Sequence, residues 1–258
     1  MKLTTHDFSQ RVAIVTGAAR GLGAAYARAL AEKGAAVALL DVLSEQAASV
    51  AADIVSNGGR ALAIETDVSD PTSFRAAVTT TTEGLGAVDI LINNAGLGTT
   101  AQTKGVPWYE WPVDAWDTVV AVNMRGCFLG AQAVAPGMME RRWGRIVNVS
   151  SATFWSPIVE AVHYVAAKGG VIGLTRALAA GLGEHGITVN TLVPGLTRTE
   201  HMEQMYPAQV FEHYKTLRAI PRDGVPADLV GTVLYLCSPA SDFVTGQTFI
   251  VDGGHIFA

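Results

Sequence analysis

From residue 12 to residue 251 the chain alternates short runs of Val, Ile and Leu with longer runs whose apolar residues recur at helical spacing. The strand candidates span 12–16, 36–41, 61–66, 88–93, 144–150, 188–193 and 248–251. They show little polar alternation, the pattern of strands buried on both faces of a parallel sheet. Helical patterns fill the gaps, at 22–33, 44–57, 71–84, 115–139 and 164–182 among others. Parallel neighbours cannot be joined by a hairpin, so each return needs a crossover, and a helix supplies it. The reading is an α/β chain: a doubly wound parallel sheet of about seven strands, with helices on both faces, in a single domain over 1–258.

Two segments break the alternation. Residues 97–113 carry Trp108, Tyr109 and Trp111; residues 198–225 carry Met202, Met205, Tyr206, Phe211 and Tyr214. Long insertions after the C-terminal ends of strands are where such sheets build sites, so 198–225 reads as a substrate lid. The 258 residues are 49% hydrophobic and 16% charged, enough to bury one sizeable core. A net charge of −5 with scattered Lys and Arg argues against a nucleic-acid partner. Residues 1–11 are polar and lack a secretory core, and no uninterrupted apolar run reaches the ~18 residues of a membrane helix. The chain is therefore expected to be cytoplasmic, with no membrane partner. Cys127 and Cys237 sit in apolar, helix-like stretches and read as buried thiols. No Cys/His spacing fits a metal.

The first strand runs directly into Thr16-Gly17-Ala18-Ala19-Arg20-Gly21-Leu22-Gly23. Glycines permit a tight turn, and the helix that follows points free amides at a pyrophosphate. Between a strand and a helix this is the Rossmann-type dinucleotide turn. The second strand ends at Asp41, eighteen residues after Gly23. A carboxylate there accepts both adenosine ribose hydroxyls and repels a 2′-phosphate, which favours NAD over NADP. Arg20 is the one contrary sign. Asp67 and Val68 end the third strand at the position of an adenine contact, with Asp70 better placed as a helix cap. Asn93, Asn94, Ala95 and Gly96 end the fourth, where amides can tie strand ends together and line the cofactor cleft.

Tyr164 and Lys168 lie four residues apart and share a helix face. A free phenol holds its proton to about pH 10, and a neighbouring ammonium favours the phenolate. Ser151, thirteen residues before Tyr164, can hydrogen-bond a substrate oxygen; Ser150 is its rival. Taken in order, Thr16–Gly23, Asn93–Gly96, Ser151, Tyr164 with Lys168, Pro194-Gly195 and the ending Val251-Asp252-Gly253-Gly254 resemble the short-chain dehydrogenase/reductase family over essentially the whole chain. Ala167 stands where that family commonly has Ser. The resemblance implies that Ser151 is the catalytic serine and that Asn123 holds a water beside Lys168. Lys168 also holds the nicotinamide ribose. Pro194, Gly195, Thr197 and Thr199 would receive the nicotinamide carboxamide. His163, on another helix face from Tyr164, reads as a packing or rim residue.

The implied reaction is NAD(H)-dependent interconversion of a secondary alcohol and a ketone, on a small to medium hydrophobic substrate, aryl ones included. Phe154, Trp155, Val159, Tyr206 and Phe211 are the expected pocket residues. The resemblance extends to phenylethanol-type and pyridoxal-type dehydrogenases and to 3-oxoacyl-carrier-protein reductases. For the last, Arg125, Arg141, Arg142 and Arg145 would offer a docking patch, against the plainer reading of a solvated face. A non-catalytic dinucleotide-binding protein is the remaining alternative, and the intact Ser, Tyr and Lys speak against it. By resemblance the assembly is a homotetramer.

Overall fold

Seven parallel strands form one sheet, in the order β3-β2-β1-β4-β5-β6-β7, in the computed structural model, which describes residues 7–258. The first four are β1 (Val12–Thr16), β2 (Ala36–Asp41), β3 (Arg60–Glu65) and β4 (Ile90–Asn93). They are followed by β5 (Gly144–Val149), β6 (Ile187–Pro194) and β7 (Thr248–Val251). The chain winds outward from β1 to β3, returns to β4 beside β1, and winds the other way to β7. The crevice at that reversal, above the C-terminal ends of the strands, is where such sheets hold ligands.

Alternation along each strand sorts the core into two layers. Ala13, Val15, Val37, Leu39, Ile90 and Ile92 face the helices α1 (Gly21–Glu32), α2 (Ser44–Ser56) and α9 (Pro226–Cys237). Ile14, Ala38, Leu40, Leu91 and Ile146 face α3 (Pro71–Gly84), α5 (Gly126–Arg141) and α6 (Val162–Leu182). Both cysteines are buried. The edge strands β3 and β7 are only half-covered, unlike the strands between them, which are buried apart from Asp41 at the end of β2. β4 begins two residues later than its apolar run. Asp89 turns its carboxylate back to the Val12 amide (3.1 Å) and to Arg11 (3.5 Å), so the ladder starts after it. Asp70 caps α3 through the Thr72 amide (2.8 Å), as its position suggested.

The helix expected at 115–139 is α4 (Val113–Val120), a π-turn at Ala121–Arg125, and α5, continuous from 113 to 141. By length and composition Val113–Arg141 and Val159–His185 could each cross a bilayer. A search for uninterrupted apolar runs misses them because Gly and Arg punctuate both. Here they cover the sheet, as core helices do. Segment 198–225, expected to be a lid, is largely helical: α7 (Glu200–Met205) and α8 (Ala208–Leu217). Its base is closed by a bridge between Thr197 and Gly224 and by the ion pair of Arg198 with Asp223 (3.3 Å). Segment 97–113 carries one 3-10 turn, at Trp108–Glu110.

Candidate active site

The turn after β1 is locked to the end of β4. Thr16 Oγ1 accepts from the amides of Asn94 and Ala95 (3.0 Å each), and Asn94 Nδ2 donates to the carbonyls of Thr16 (3.0 Å) and Gly17 (3.1 Å). Gly17 has a φ of +64°, and a Cβ there would meet Ala95 Cα at 2.8 Å. At Gly23 a Cβ would fall 2.1 Å from the Gly17 carbonyl oxygen. No side chain caps α1, so its first amides stay open to an anion. Asp41 accepts from the Ala19 amide (2.9 Å) and the Leu43 amide (3.0 Å), which fixes its carboxylate at the lip of the same turn. An uncapped helix end beside a fixed carboxylate suits the diphosphate and ribose of a dinucleotide. Arg20 is exposed.

The other expected cofactor residues stand at neighbouring strand ends. Asp67 folds its carboxylate onto the amide (2.8 Å) and hydroxyl (2.7 Å) of Ser69. Val68 is buried against Gly126. Gly96 lies beside Asn123 and Lys168: a Cβ on it would be 3.1 Å from Asn123 Oδ1 and 3.6 Å from Lys168 Nζ. Pro194 ends β6, and Gly195 packs directly on Asp252. Thr197 donates its hydroxyl to the Gly195 carbonyl (3.0 Å). Thr199 caps α7 through the Met202 amide (3.3 Å), and its methyl would lie 3.6 Å from a Cβ at Gly21. The start of the lid therefore rests on the glycine-rich turn. His201, two residues on, is held below its ordinary pKa by burial and by Arg20.

Lys168 is 2% exposed. Its ammonium donates to the Val149 carbonyl (2.8 Å) and stands 5.6 Å from the Tyr164 ring centroid. Tyr164 is half-buried. Geometry separates the two serines. Ser150 is buried and donates to the Lys168 carbonyl (2.7 Å), anchoring the helix. Ser151, half-buried at the end of β5, accepts from the amide (3.3 Å) and hydroxyl (3.0 Å) of Thr153, which leaves its own proton free to point outward. Asn123 sits in the π-turn, a distortion common at functional sites. Its Nδ2 donates to the Leu97 carbonyl (2.8 Å) and the Val119 carbonyl (2.9 Å). That amide group holds the start of segment 97–113.

Of the expected pocket residues, Phe154 and Val159 are exposed, and Trp155 meets Phe154 edge-on at 4.8 Å. Tyr206 is half-buried, its phenol pushed up by burial and by the neighbouring Tyr214 and Tyr164. Phe211 is different: it is 2% exposed, with the Arg198 guanidinium 4.6 Å above its ring, and belongs to the lid's own core. Of the four arginines weighed as a solvated face or a docking patch, Arg125, Arg141 and Arg142 are exposed and Arg145 is not. Arg145 is 1% exposed, stacks on Trp143 and pairs with Asp242. Its desolvation is what lowers its pKa. Arg125, Arg141 and Arg142 each donate to a backbone carbonyl, of Ser69, Val88 and Glu184.

Two features were not visible in the sequence. A buried polar chain runs across the sheet: Asn93 to Asn148 (2.8 Å), Asn148 to Thr175 (2.9 Å), Thr191 to Thr175 (2.9 Å). Arg218, 7% exposed, donates to the Leu196 carbonyl and to the Arg222 carbonyl (2.9 Å). It lies in a slot between Gly195, Gly224 and Gly253, behind the 194–199 turn. Only the dispersed glycines hinted at that slot.

Comparison with known proteins agrees with this geometry. The family described as enoyl-(acyl carrier protein) reductase matches residues 17–255. A 3-oxoacyl-[acyl-carrier-protein] reductase of Synechocystis sp. is 35% identical over 95% of this chain and 97% of its own. D-threitol dehydrogenase of Mycolicibacterium smegmatis is 35% identical over 95% and 92%. Among solved structures, a short-chain type dehydrogenase/reductase from Mycobacterium marinum superposes with a TM-score of 0.89 at 34% identity, covering 98% of both chains. A dehydrogenase/reductase from Sinorhizobium meliloti gives 0.87 at 37%, covering 98% and 97%.

Proposed function

The chain belongs to the short-chain dehydrogenase/reductase family, and on that premise we propose that it interconverts a secondary alcohol and a ketone on a hydrophobic substrate, using NAD(H). The observation that carries this reading is the Tyr164–Lys168 pair, with a buried ammonium fixed at the Val149 carbonyl 5.6 Å from the phenol ring. Tyr164 takes the alcohol proton in oxidation and returns it in reduction. Lys168 stabilises negative charge on that oxygen and reaches the nicotinamide ribose. Ser151 donates to the substrate oxygen as charge builds there. Asn123 fixes the floor of the site beside Lys168. Bound nicotinamide supplies the hydride acceptor or donor.

Asp41 supports NAD over NADP, since a carboxylate within a few ångströms of a 2′-phosphate costs on the order of 1–3 kcal/mol. Trp155, Tyr206 and Phe154 support an apolar or aryl substrate. Exposed Trp116 and Phe128, on α4 and α5, support a homotetramer, and the reading places the enzyme in the cytoplasm. Reduction of a 3-oxoacyl thioester is the second reading, favoured by the names of the 35–36% identical relatives; the burial of Arg145 weakens the docking patch it would use. The test is a panel of secondary alcohols, 1-phenylethanol among them, with NAD+ and NADP+ in parallel, beside acetoacetyl-CoA with NADH and NADPH. Turnover of an alcohol with NAD+ at least tenfold above NADP+, lost in Tyr164→Phe, is expected. Turnover confined to the thioester with NADPH replaces the reading by the second one.

A further inference from the structure

Helix α6 carries both Tyr164 and Lys168, yet it starts without an ordinary cap. Its N-cap residue is Ala161, which has no side-chain acceptor. The first amides of a helix have no partner within it, and the third helical position is among those an N-cap side chain normally satisfies. That third position is Tyr164. His163 supplies the acceptor instead: its Nδ1 receives the Tyr164 backbone N–H at 2.8 Å. This bond assigns the neutral imidazole with its proton on Nε2. Among the described residues Nε2 has no partner, and the ring is 0% exposed.

What holds the ring is Trp111, from the last part of segment 97–113. The two rings lie 4.4 Å apart between centroids, tilted by 30°. Trp111 is itself tied down, its Nε1 donating to the Val106 carbonyl (2.8 Å). The other end of the segment is held by Asn123 at Leu97. Segment 97–113 is thus fastened at its start to the floor beside Lys168 and at its end to the imidazole that caps Tyr164.

We propose that His163, clamped by Trp111, is a positioning residue for Tyr164: it caps the N-terminus of the catalytic helix and couples the seating of segment 97–113 to the placement of the phenol. This rests on the assignment of Tyr164 above. It does not make His163 a proton donor or acceptor in the reaction, since the ring is closed off from the cleft by its burial.

The test compares His163→Ala, His163→Asn, Trp111→Leu and Tyr164→Phe. Asn keeps a short acceptor that can reach the Tyr164 amide. Hydrogen exchange of the 161–168 peptide is read by mass spectrometry, with melting temperature and NADH affinity alongside. Turnover uses the best alcohol of the panel, scaled to the fraction of protein that binds NADH. In His163→Ala and Trp111→Leu the peptide should exchange faster and kcat should fall about tenfold, with NADH affinity within twofold of wild type. His163→Asn should recover most of both losses. A His163→Ala protein with wild-type kcat, while Tyr164→Phe is inactive, overturns the proposal and leaves the catalytic assignment standing. So does a His163→Asn protein no better than Ala, which would reduce the imidazole to packing. If His163→Ala does not fold, His163→Asn and Trp111→Leu decide by the same readings. Turnover retained in Tyr164→Phe removes both the assignment and the proposal built on it.

Discussion

Replacing Gly23 by alanine should damage dinucleotide binding far more than one methyl group ordinarily does. The new Cβ would lie 2.1 Å from the Gly17 carbonyl oxygen, 2.7 Å from Asn94 Nδ2 and 2.8 Å from the Gly17 carbonyl carbon. Carbon and oxygen that are not bonded settle beyond about 3 Å, so roughly 1 Å of separation must be found. Neither partner yields easily. The Gly17 amide donates to the Leu40 carbonyl (2.8 Å), and its carbonyl accepts from Asn94, itself bonded to β1. The displacement therefore falls on the start of α1, whose uncapped amides are the proposed phosphate site. Overpacking of this kind costs about 1–3 kcal/mol, a melting shift of about 2–12 °C for a chain of this size. A misplacement of about 1 Å can weaken a positioned interaction up to a hundredfold. Gly98→Ala is the control, since a Cβ there meets nothing within 4 Å. Fluorescence titration with NADH should give a dissociation constant at least tenfold higher for Gly23→Ala and an unchanged one for Gly98→Ala. Equal affinities for Gly23→Ala and wild type would mean that the turn and α1 can separate freely, and the geometric argument for the phosphate site would fail.

The two thiols should be inert in the folded protein. Burial pushes Cys127 up to about 11 and Cys237 to about 12, so a disulfide reagent at pH 8 should label neither until denaturant is added; stoichiometric labelling of the native chain would contradict this. Asp228 is drawn down to about 2, first by the Arg222 guanidinium (2.6 and 2.7 Å) and then by the Val225 amide. A lowered carboxylate stabilises the fold above the ordinary 3.8 and loses that contribution as pH falls toward 2. Because Arg222 is 57% exposed the pair is screened, so Asp228→Asn should cost about 0.5–1 kcal/mol at pH 7 in urea unfolding. That difference should shrink below pH 4; a constant gap across the range would assign it to something other than charge.

Alternation of strands and helices was readable because parallel strands in mid-sheet are apolar on both faces, and Val12–Thr16 and Ala36–Asp41 emerge with the expected bounds. Where a polar residue does structural work at a strand end the reading slips, as at Asp89. The residues expected to line the cofactor cleft do gather at one end of the sheet, since they fall at strand ends in chain order. Side-chain direction was not readable. Phe211 looked like a pocket wall, but a ten-residue helix presents two faces, and which one meets the cleft depends on where the lid docks. Arg145 read as a solvated or docking arginine, but it is buried, stacked on Trp143 and paired with Asp242. The bond from His163 to the next residue's amide depends on a ring rotamer that Trp111 selects, and no spacing rule encodes it.

The same distinction explains why the lid end of the site is harder to infer than the phosphate end. At the phosphate end, the constraint is local: three glycines and one carboxylate within one β-α-β unit. At the lid end it is assembled from three distant stretches. Arg218 binds the Leu196 and Arg222 carbonyls with its methylenes against Gly253, while Asp252 packs on Gly195 and accepts from the amides of Gly254 (2.9 Å), His255 (3.1 Å) and Ile256 (2.9 Å). A buried guanidinium left without those carbonyls would be strongly destabilising. The 194–199 turn, the end of segment 198–225 and the C-terminal tail are therefore tied to one another. A change at Asp252 or beyond it should therefore reach the 194–199 turn, where the nicotinamide is proposed to sit, through Arg218 and Asp252 as well as through the β6–β7 ladder at Pro194 and Val251.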